Sequence, residues 1–163
     1  MTGEPSTAAS LGRARTTRTT RTTGTTGTRT TTLHIVAAVI VRADGRALLV
    51  RKRGTTAFMQ VGGKIEPGED PVAALVRECA EEIGLVVDPA AVRPLGRRAA
   101  VAANEPDHVV DAHVFEVALP AGFVVETRAE LEEHAWVDPA APVAGHPLAP
   151  LSADLMADVA AGR

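Results

Sequence analysis

Apolar and β-branched residues near the start of the chain predict a β-hairpin. Residues 34–42 form a short apolar run that is typical of a buried strand, and residues 47–51 predict a second strand. Between them, Asp44-Gly45 favours a tight turn. We therefore expect the two strands to pair with each other.

A helix is predicted over residues 71–83. Asp70 suits the N-cap, Pro71 suits the first helical turn, and Gly84 suits the position just after the last turn. At 100° per residue, one face of this helix is apolar and contains Val72, Leu75, Val76, Cys79 and Ile83.

The second half of the chain predicts two more strands and a closing helix. Residues 92–103 and the partly alternating 109–119 are separated by turn residues at 104–107. Apolar residues recur at helical spacing over 152–160, with Ser152 as the predicted N-cap. Strands around one helix, followed by another helix, predict an α/β fold arranged as an α/β/α sandwich.

A second face of the central helix is acidic. Glu78, Glu81 and Glu82 are related by steps of three and four residues, so their charges repel one another unless a cation lies between them. Mg²⁺ is usually bound by carboxylates together with substrate phosphates. With a glycine-rich loop directly before the helix, this pattern favours a metal and phosphate site over a merely solvated acidic face.

The same stretch has a fixed spacing that resembles a known family signature. A glycine is followed after five residues by a glutamate and after seven more by Arg-Glu and an apolar residue. One residue further on comes Glu-Glu, and after one more residue a glycine and a final apolar residue. These positions are Gly63, Glu69, Arg77, Glu78, Cys79, Glu81, Glu82, Gly84 and Leu85. The pattern over residues 63–85 resembles a complete Nudix box, although Val61 stands where many relatives have proline.

The resemblance implies a MutT-like Nudix hydrolase over residues 33–163. Such a protein has an α/β/α sandwich with a mixed, curved β-sheet, and its box folds as loop, helix and loop. These enzymes cleave a pyrophosphate bond in a nucleoside diphosphate linked to another group, and they use Mg²⁺ or Mn²⁺. The resemblance also associates Trp136 with a late strand that follows an acidic loop.

The resemblance assigns roles to the box residues. Glu81 and Glu82 correspond to the principal metal ligands, together with the backbone carbonyl of Gly62. Glu78 corresponds to another ligand or to the base that deprotonates the attacking water.

Two further carboxylate roles follow from the resemblance. Arg77 is expected to orient a neighbouring glutamate, with Glu69 the candidate, because a planar guanidinium suits a two-point carboxylate contact. Relatives often take one more acidic ligand from a loop outside the box. Four glutamates compete for that role, and Glu133 is the one we predict; the others are Glu105, Glu130 and Glu132.

Residues next to the glycine pair are candidates for substrate binding. Arg51 and Arg53 suit phosphate attraction, and they suit a solvated strand end equally well. Phe58 is a candidate for a base pocket or for core packing. Gly63 and Lys64 are assigned to substrate binding as members of the glycine loop.

The substrate is less well defined by the sequence. The window in which relatives carry substrate markers falls at about 100–106, and it lacks the proline typical of ADP-ribose enzymes. The chain has no tyrosine, the marker of dinucleoside polyphosphate enzymes, and the NADH marker is also absent. These absences favour a nucleoside or deoxynucleoside triphosphate, giving monophosphate and pyrophosphate. The alternatives are an ADP-ribose or nucleoside diphosphate-sugar pyrophosphatase and a non-catalytic nucleotide-binding module.

The first 32 residues differ in composition from the rest. Residues 16–32 contain only Thr, Arg and Gly, without apolar periodicity, so we expect a disordered tail. A weak polyanion-binding arm and a start codon placed too far upstream are the alternatives. Five arginines and one glutamate lie in the first 32 residues, so the remainder is more acidic than the net charge of -3 suggests.

Overall composition limits the remaining possibilities. A chain of 163 residues suits one domain, and a net charge of -3 argues against a stable nucleic-acid partner. The single cysteine, Cys79, excludes an internal disulfide and is expected in the core. No apolar run reaches the ~18 residues of a membrane span. We expect a cytoplasmic protein acting on a small nucleotide, either as a monomer or as the homodimer common among relatives.

Overall fold

The computed structural model describes residues 30–142 and 147–163. Six strands, two α-helices and one 3₁₀ helix lie in these ranges. In chain order they are β1 (Thr31–Val39), β2 (Ala47–Lys52), β3 (Phe58–Met59), α1 (Pro71–Ile83), the 3₁₀ helix Pro89–Ala91, β4 (Arg93–Val101), β5 (His108–Glu116), β6 (Leu131–Val137) and α2 (Pro150–Ala160). None of the described helices is long and apolar enough to cross a membrane.

The strands form two three-stranded sheets. One has the order β1-β5-β4, with β1 parallel and β4 antiparallel to β5. The other has the order β3-β2-β6 and is antiparallel throughout. The parallel pair within a largely antiparallel arrangement confirms the predicted mixed sheet.

The predicted turn at Asp44-Gly45 is present, but the two strands beside it hardly pair. The Gly45 N–H donates to the Arg42 carbonyl at 2.9 Å, and a single bridge joins Val41 to Ala47. The Arg42 N–H donates to the Arg46 carbonyl and the Leu48 N–H to the Ile40 carbonyl, so the predicted hairpin forms next to its turn. Beyond that bridge β2 lies between β3 and β6, so the predicted pairing along the rest of the two strands is wrong. The reason is that β1 already has two partners, because β5 pairs with one edge and the glycine loop with the other.

The core lies on both sides of the sheets, as the predicted sandwich requires. Its largest cluster packs the apolar face of α1 against residues from both sheets, including Val36, Leu48, Leu75, Cys79 and Ile83. Two smaller clusters pack α2 against β1 and β5 and against β2. Burial raises the pKa of the Cys79 thiol to about 12, so Cys79 is a core residue and not a nucleophile at neutral pH.

The ends of the fold differ from the prediction at two places. Strand β1 begins at Thr31, two residues before the predicted domain boundary, and the predicted disorder of residues 1–29 lies outside the described residues. Helix α2 begins at Pro150, so Ser152 is not its N-cap. Proline favours the first helical position, and here the N-cap is Ala149, three residues before the predicted one.

Candidate active site

Helix α1 is fixed at both ends by local hydrogen bonds, as its sequence predicts. The Asp70 carboxylate accepts hydrogen bonds from the backbone N–H groups of Val72 at 2.9 Å and Ala73 at 3.3 Å. Gly84 adopts the left-handed conformation with φ 68°, and its N–H donates to the Ala80 carbonyl. These caps fix the helix, and with it the position of every box glutamate.

The three box glutamates occupy different environments. The exposed fraction of the side chain is 12% for Glu78, 56% for Glu81 and 2% for Glu82. Glu82 Oε2 accepts a hydrogen bond from the Gly62 N–H at 3.0 Å, whereas Oε1 is buried and has no hydrogen-bond partner among the described residues. Burial raises the pKa of Glu82 to about 7, although the Gly62 N–H and the Lys52 charge oppose the shift.

The glycine pair lets the backbone approach both β1 and α1. The Val36 N–H of β1 donates to the Gly63 carbonyl at 2.9 Å. At Gly62, where φ is +150°, a Cβ would lie 2.1 Å from the Val36 carbonyl oxygen. At Gly63 a Cβ would lie 2.2 Å from Glu78 Oε1. Neither position has room for a side chain, and the Glu78 carboxylate occupies the space beside Gly63.

Arg77 joins the loop to the helix. Its Nε and Nη2 donate to the two carboxylate oxygens of Glu69 at 2.9 and 3.0 Å, and its Nη1 donates to Glu78 Oε1 at 2.8 Å. This is the two-point contact that the sequence suggested. The guanidinium and the Glu66 N–H lower the pKa of Glu69 to about 2. The same carboxylates raise the pKa of Arg77.

Lys52 and Glu130 complete the charged group beside Glu82. Lys52 Nζ lies 3.9 Å from Glu82 Oε1 and is ion-paired with Glu130. Sequence reasoning selected Arg51 and Arg53 as binding residues and passed over Lys52. The ladder of β2 with β6 shifts register between Arg51 and Lys52, so strand alternation in the sequence does not single out Lys52.

Two predicted site residues, Arg51 and Glu133, pair with each other. Arg51 stands opposite Glu133 in the β2–β6 ladder and donates to Glu133 Oε2 from Nη2 at 2.8 Å and to Glu132 Oε2 from Nη1 at 2.9 Å. Neither Arg51 nor Glu133 is among the residues that line the cleft described below, and their roles in substrate and metal binding stay predictions. Of the competing glutamates, Glu130 and Glu105 line that cleft.

The remaining predicted binding residues divide between core and cleft. Phe58 is only 1% exposed and packs in the core cluster with Leu49 and Met156, so the base-pocket prediction for Phe58 is wrong and the packing alternative is correct. Its neighbour Met59 lines the cleft instead. Cleft-lining residues among the predictions are Arg53, Gly62, Gly63, Lys64, Arg77 and Glu78.

A cleft of about 630 Å³ lies beside the box. One wall comes from β1, β4 and β5, another from β3 and the end of β2, and the start of α2 closes it. Its charged residues include Lys52, Arg53, Lys64, Glu78 and Glu130. A cavity of this size suits a small-molecule ligand, for which roughly 300 to 1,000 Å³ is usual.

The donor set beside the cleft fits a hard divalent cation. In residues 30–142 and 147–163, no group of three or more His, Cys, Asp or Glu side chains is already arranged to hold a metal ion. Instead Glu78 contacts Arg77, while Glu82 and Glu130 face Lys52. The buried Glu82 Oε1 without a hydrogen-bond partner is an acceptor that a cation would satisfy, and carboxylate oxygens are the ligands that Mg²⁺ prefers.

The sandwich fold thus carries an acidic loop–helix–loop beside a cleft. The chain belongs to the NUDIX domain family, whose model matches residues 32–159. This match includes the whole box and confirms the resemblance seen in the sequence.

Two relatives match part of this chain. A Myxococcus xanthus protein named octanoyltransferase is 36% identical over 113 residues, which cover 65% of this chain and 31% of that protein. A MutT-like protein from Streptomyces ambofaciens is 33% identical over 104 residues, which cover 64% of this chain and 62% of that protein. The chain therefore spans less than two thirds of each relative.

Solved structures share the fold. The crystal structure of a MutT NUDIX hydrolase from Burkholderia pseudomallei aligns with a TM-score of 0.64 at 21% identity, covering 77% of this chain and 96% of that one. The likeness confirms the predicted α/β/α architecture.

Proposed function

We propose that this protein hydrolyses the pyrophosphate bond of a nucleoside or deoxynucleoside triphosphate, giving the monophosphate and pyrophosphate, with Mg²⁺ or Mn²⁺. The observation that carries the proposal is the buried Glu82 carboxylate, bonded to the Gly62 N–H at 3.0 Å beside the cleft. A buried carboxylate with one unpartnered oxygen is costly unless a ligand uses it. Family membership supports the same reaction class.

The residues that would hold the metal are Glu78, Glu81, Glu82 and the Gly62 carbonyl, with Glu130 replacing Glu133 as the outside ligand. When bound, such an ion lowers the pKa of water and offsets charge on phosphate oxygens. Lys52 ion-pairs with Glu130 in the structure and is positioned to contribute its positive charge to the same site.

The chain's own residues have distinct tasks in this scheme. A water oxygen bonds to phosphorus as the anhydride P–O bond breaks, and the bridging oxygen leaves with the electron pair. Glu78, which lines the cleft, accepts the water proton. Arg77 positions Glu78 through the 2.8 Å hydrogen bond, and Glu69 holds Arg77 from the other side. Arg53 and Lys64 line the cleft and offset the charge of the substrate phosphates.

A substrate panel with matched variants tests the proposal. We would measure pyrophosphate and phosphate release with Mg²⁺ from the common NTPs and dNTPs, ADP-ribose, a nucleotide sugar and a diadenosine polyphosphate. Glu81→Gln and Glu82→Gln should reduce turnover by at least a hundredfold. Glu126→Gln, the same chemical change at an exposed glutamate paired with Arg128, should leave turnover unchanged.

The panel also separates the competing functions. Turnover of ADP-ribose or a nucleotide sugar alone would identify that compound, and not a triphosphate, as the substrate. Nucleotide binding without any turnover would contradict catalysis and indicate a binding module. Sedimentation of the same preparation tests the predicted alternative of a homodimer.

A further inference from the structure

A buried amide lies in the same cleft and is not used by the proposed chemistry. Gln60, 5% exposed, and Ser152, 1% exposed, both line the cleft. The Ser152 hydroxyl donates to Gln60 Oε1 at 2.6 Å. Gln60 Nε2 is buried without a hydrogen-bond partner in the described part of the chain. Unsatisfied buried donors are rare, and one in a ligand cleft calls for a functional explanation.

The cleft that Gln60 lines also has apolar residues from several elements. They include Leu33 and Ile35 of β1, Met59 of β3, Val110 of β5 and Leu151 of α2. Flat aliphatic walls around a small number of fixed polar groups are typical of sites that hold a planar organic ring. The Gln60–Ser152 pair is the buried polar group of this region.

The amide is close along the chain to the box glycines. Gln60 precedes Gly62 by two residues, a span of about 7 Å in an extended chain, and both residues line the same cleft. In a nucleotide bound along this cleft, phosphate groups would meet the box while the base meets Gln60.

We propose that Gln60, oriented by Ser152, is a specificity-determining residue that donates a hydrogen bond from Nε2 to a carbonyl oxygen of the nucleobase. This inference rests on the proposed nucleotide hydrolysis. The Ser152 hydroxyl already donates to Gln60 Oε1, so the pair offers a ligand only the Nε2 donor. A free amide would offer both a donor and an acceptor. The carbonyl oxygens that such a donor distinguishes are O6 of guanine and O4 of uracil and thymine. At the corresponding positions adenine and cytosine carry amino groups, N6 and N4, which would place donor against donor.

The test compares base preference in the full chain. For wild type we expect kcat/KM for GTP, UTP and dTTP to exceed that for ATP and CTP by roughly tenfold or more, the effect of one hydrogen bond in a buried site. Gln60→Leu should raise KM for the carbonyl bases about tenfold, keep kcat within about twofold, and abolish the preference. Gln60→Leu alone leaves the Ser152 hydroxyl without its acceptor. The double variant Gln60→Leu with Ser152→Ala removes both polar groups and should show the same loss of base preference.

Asn104→Leu is the matched control, since Asn104 also lines the cleft but is exposed in the β4–β5 turn. Its base preference should equal that of wild type. Calorimetric binding of GMP, UMP, AMP and CMP gives the same ratio without turnover. An inactive wild type that still prefers GMP and UMP would contradict hydrolysis and support the base contact. A preference for adenine and cytosine nucleotides, or an unchanged ratio in Gln60→Leu, would overturn the inference.

Discussion

At the scale of single residues, the buried carboxylate of Glu82 links the stability of the protein to pH. Its pKa is about 7 in the folded protein against 4.5 in the ordinary case. A carboxyl whose folded pKa is raised favours folding while it is protonated, below about pH 4.5, and loses that contribution as pH rises through 7. The full loss above pH 7 is about 3 kcal/mol.

Replacement of Glu82 by glutamine should therefore remove this pH dependence. In EDTA, the wild-type free energy of unfolding should fall between about pH 5 and pH 8, and Glu82→Gln should unfold at an equal or higher temperature at pH 8. Thermal unfolding by circular dichroism measures both. A variant that melts well below wild type at pH 8 would show that the carboxylate is needed for structure.

Arg77 and Glu69 should give the opposite pH dependence. The pKa of Glu69 is lowered from 4.5 to about 2, so its contribution is present above pH 4.5 and is lost as pH falls towards 2. Arg77→Lys keeps the charge but loses the planar two-point contact, so acid unfolding should begin at a higher pH and activity should fall at least tenfold. Arg46→Lys, at an exposed position, is the control, and an identical acid midpoint in both variants would contradict this role.

The contacts of a residue were predictable where its partner is close in sequence and not where the partner comes from a distant part of the chain. The Arg77–Glu69 contact follows from the fixed spacing of loop and helix. The burial of Glu82 does not, since helical periodicity places it beside Glu78 on an acidic face. The pairing of Arg51 with Glu133 depends on the register of β2 with β6, which single-sequence patterns do not contain.

At the scale of elements, the two box glycines are expected to fail in different ways when changed to alanine. Gly62→Ala would meet the Val36 backbone carbonyl at 2.1 Å with φ at +150°. Backbone cannot move aside easily, so we expect a loss of about 2 to 4 kcal/mol in the free energy of unfolding. Gly63→Ala meets the end of the Glu78 side chain at 2.2 Å, which can rotate away. It should keep its stability and lose at least tenfold in activity.

Urea unfolding and pyrophosphate release on the two alanine variants distinguish these outcomes. Gly54→Ala has positive φ but no atom within 4 Å of the added Cβ, so it measures backbone strain alone, about 1 kcal/mol. Equal losses of stability in Gly62→Ala and Gly63→Ala would contradict the expectation that only Gly62 is required for stability.

Helices were predicted more accurately than strand partners at this scale. Both ends of α1 were predicted from its caps, because capping involves neighbours in the chain. The β1–β2 hairpin was predicted over too many residues. Its turn is local, whereas the choice of strand partners is decided by long-range pairing. The early start of α2 at Pro150 was missed because a serine in the first turn resembled a cap.

At the scale of the whole molecule, the domain is expected to function without residues 1–29. Strand β1 begins at Thr31, whose N–H donates to the Asp107 carbonyl at 3.1 Å. A chain beginning at Thr30 should keep the wild-type melting temperature and a kcat/KM within about twofold. A chain beginning at Ala37 lacks the first six of the nine residues of β1 and should not fold. Loss of activity in the first variant would give the tail a functional role.

The parallel pairing of β1 with β5 also determines the order in which the protein can fold. Thr31 is opposite His108, so β1 can pair with the glycine loop on one edge long before its β5 partner on the other edge has been made. A parallel pair cannot be closed by a tight turn, and non-local pairing of this kind slows folding to milliseconds or longer. Helix α1 forms from neighbouring residues and can form early. Stopped-flow refolding should therefore show rapid gain of helix followed by a slower phase in which β1 docks, and apolar β1 is the segment exposed to aggregation during that delay.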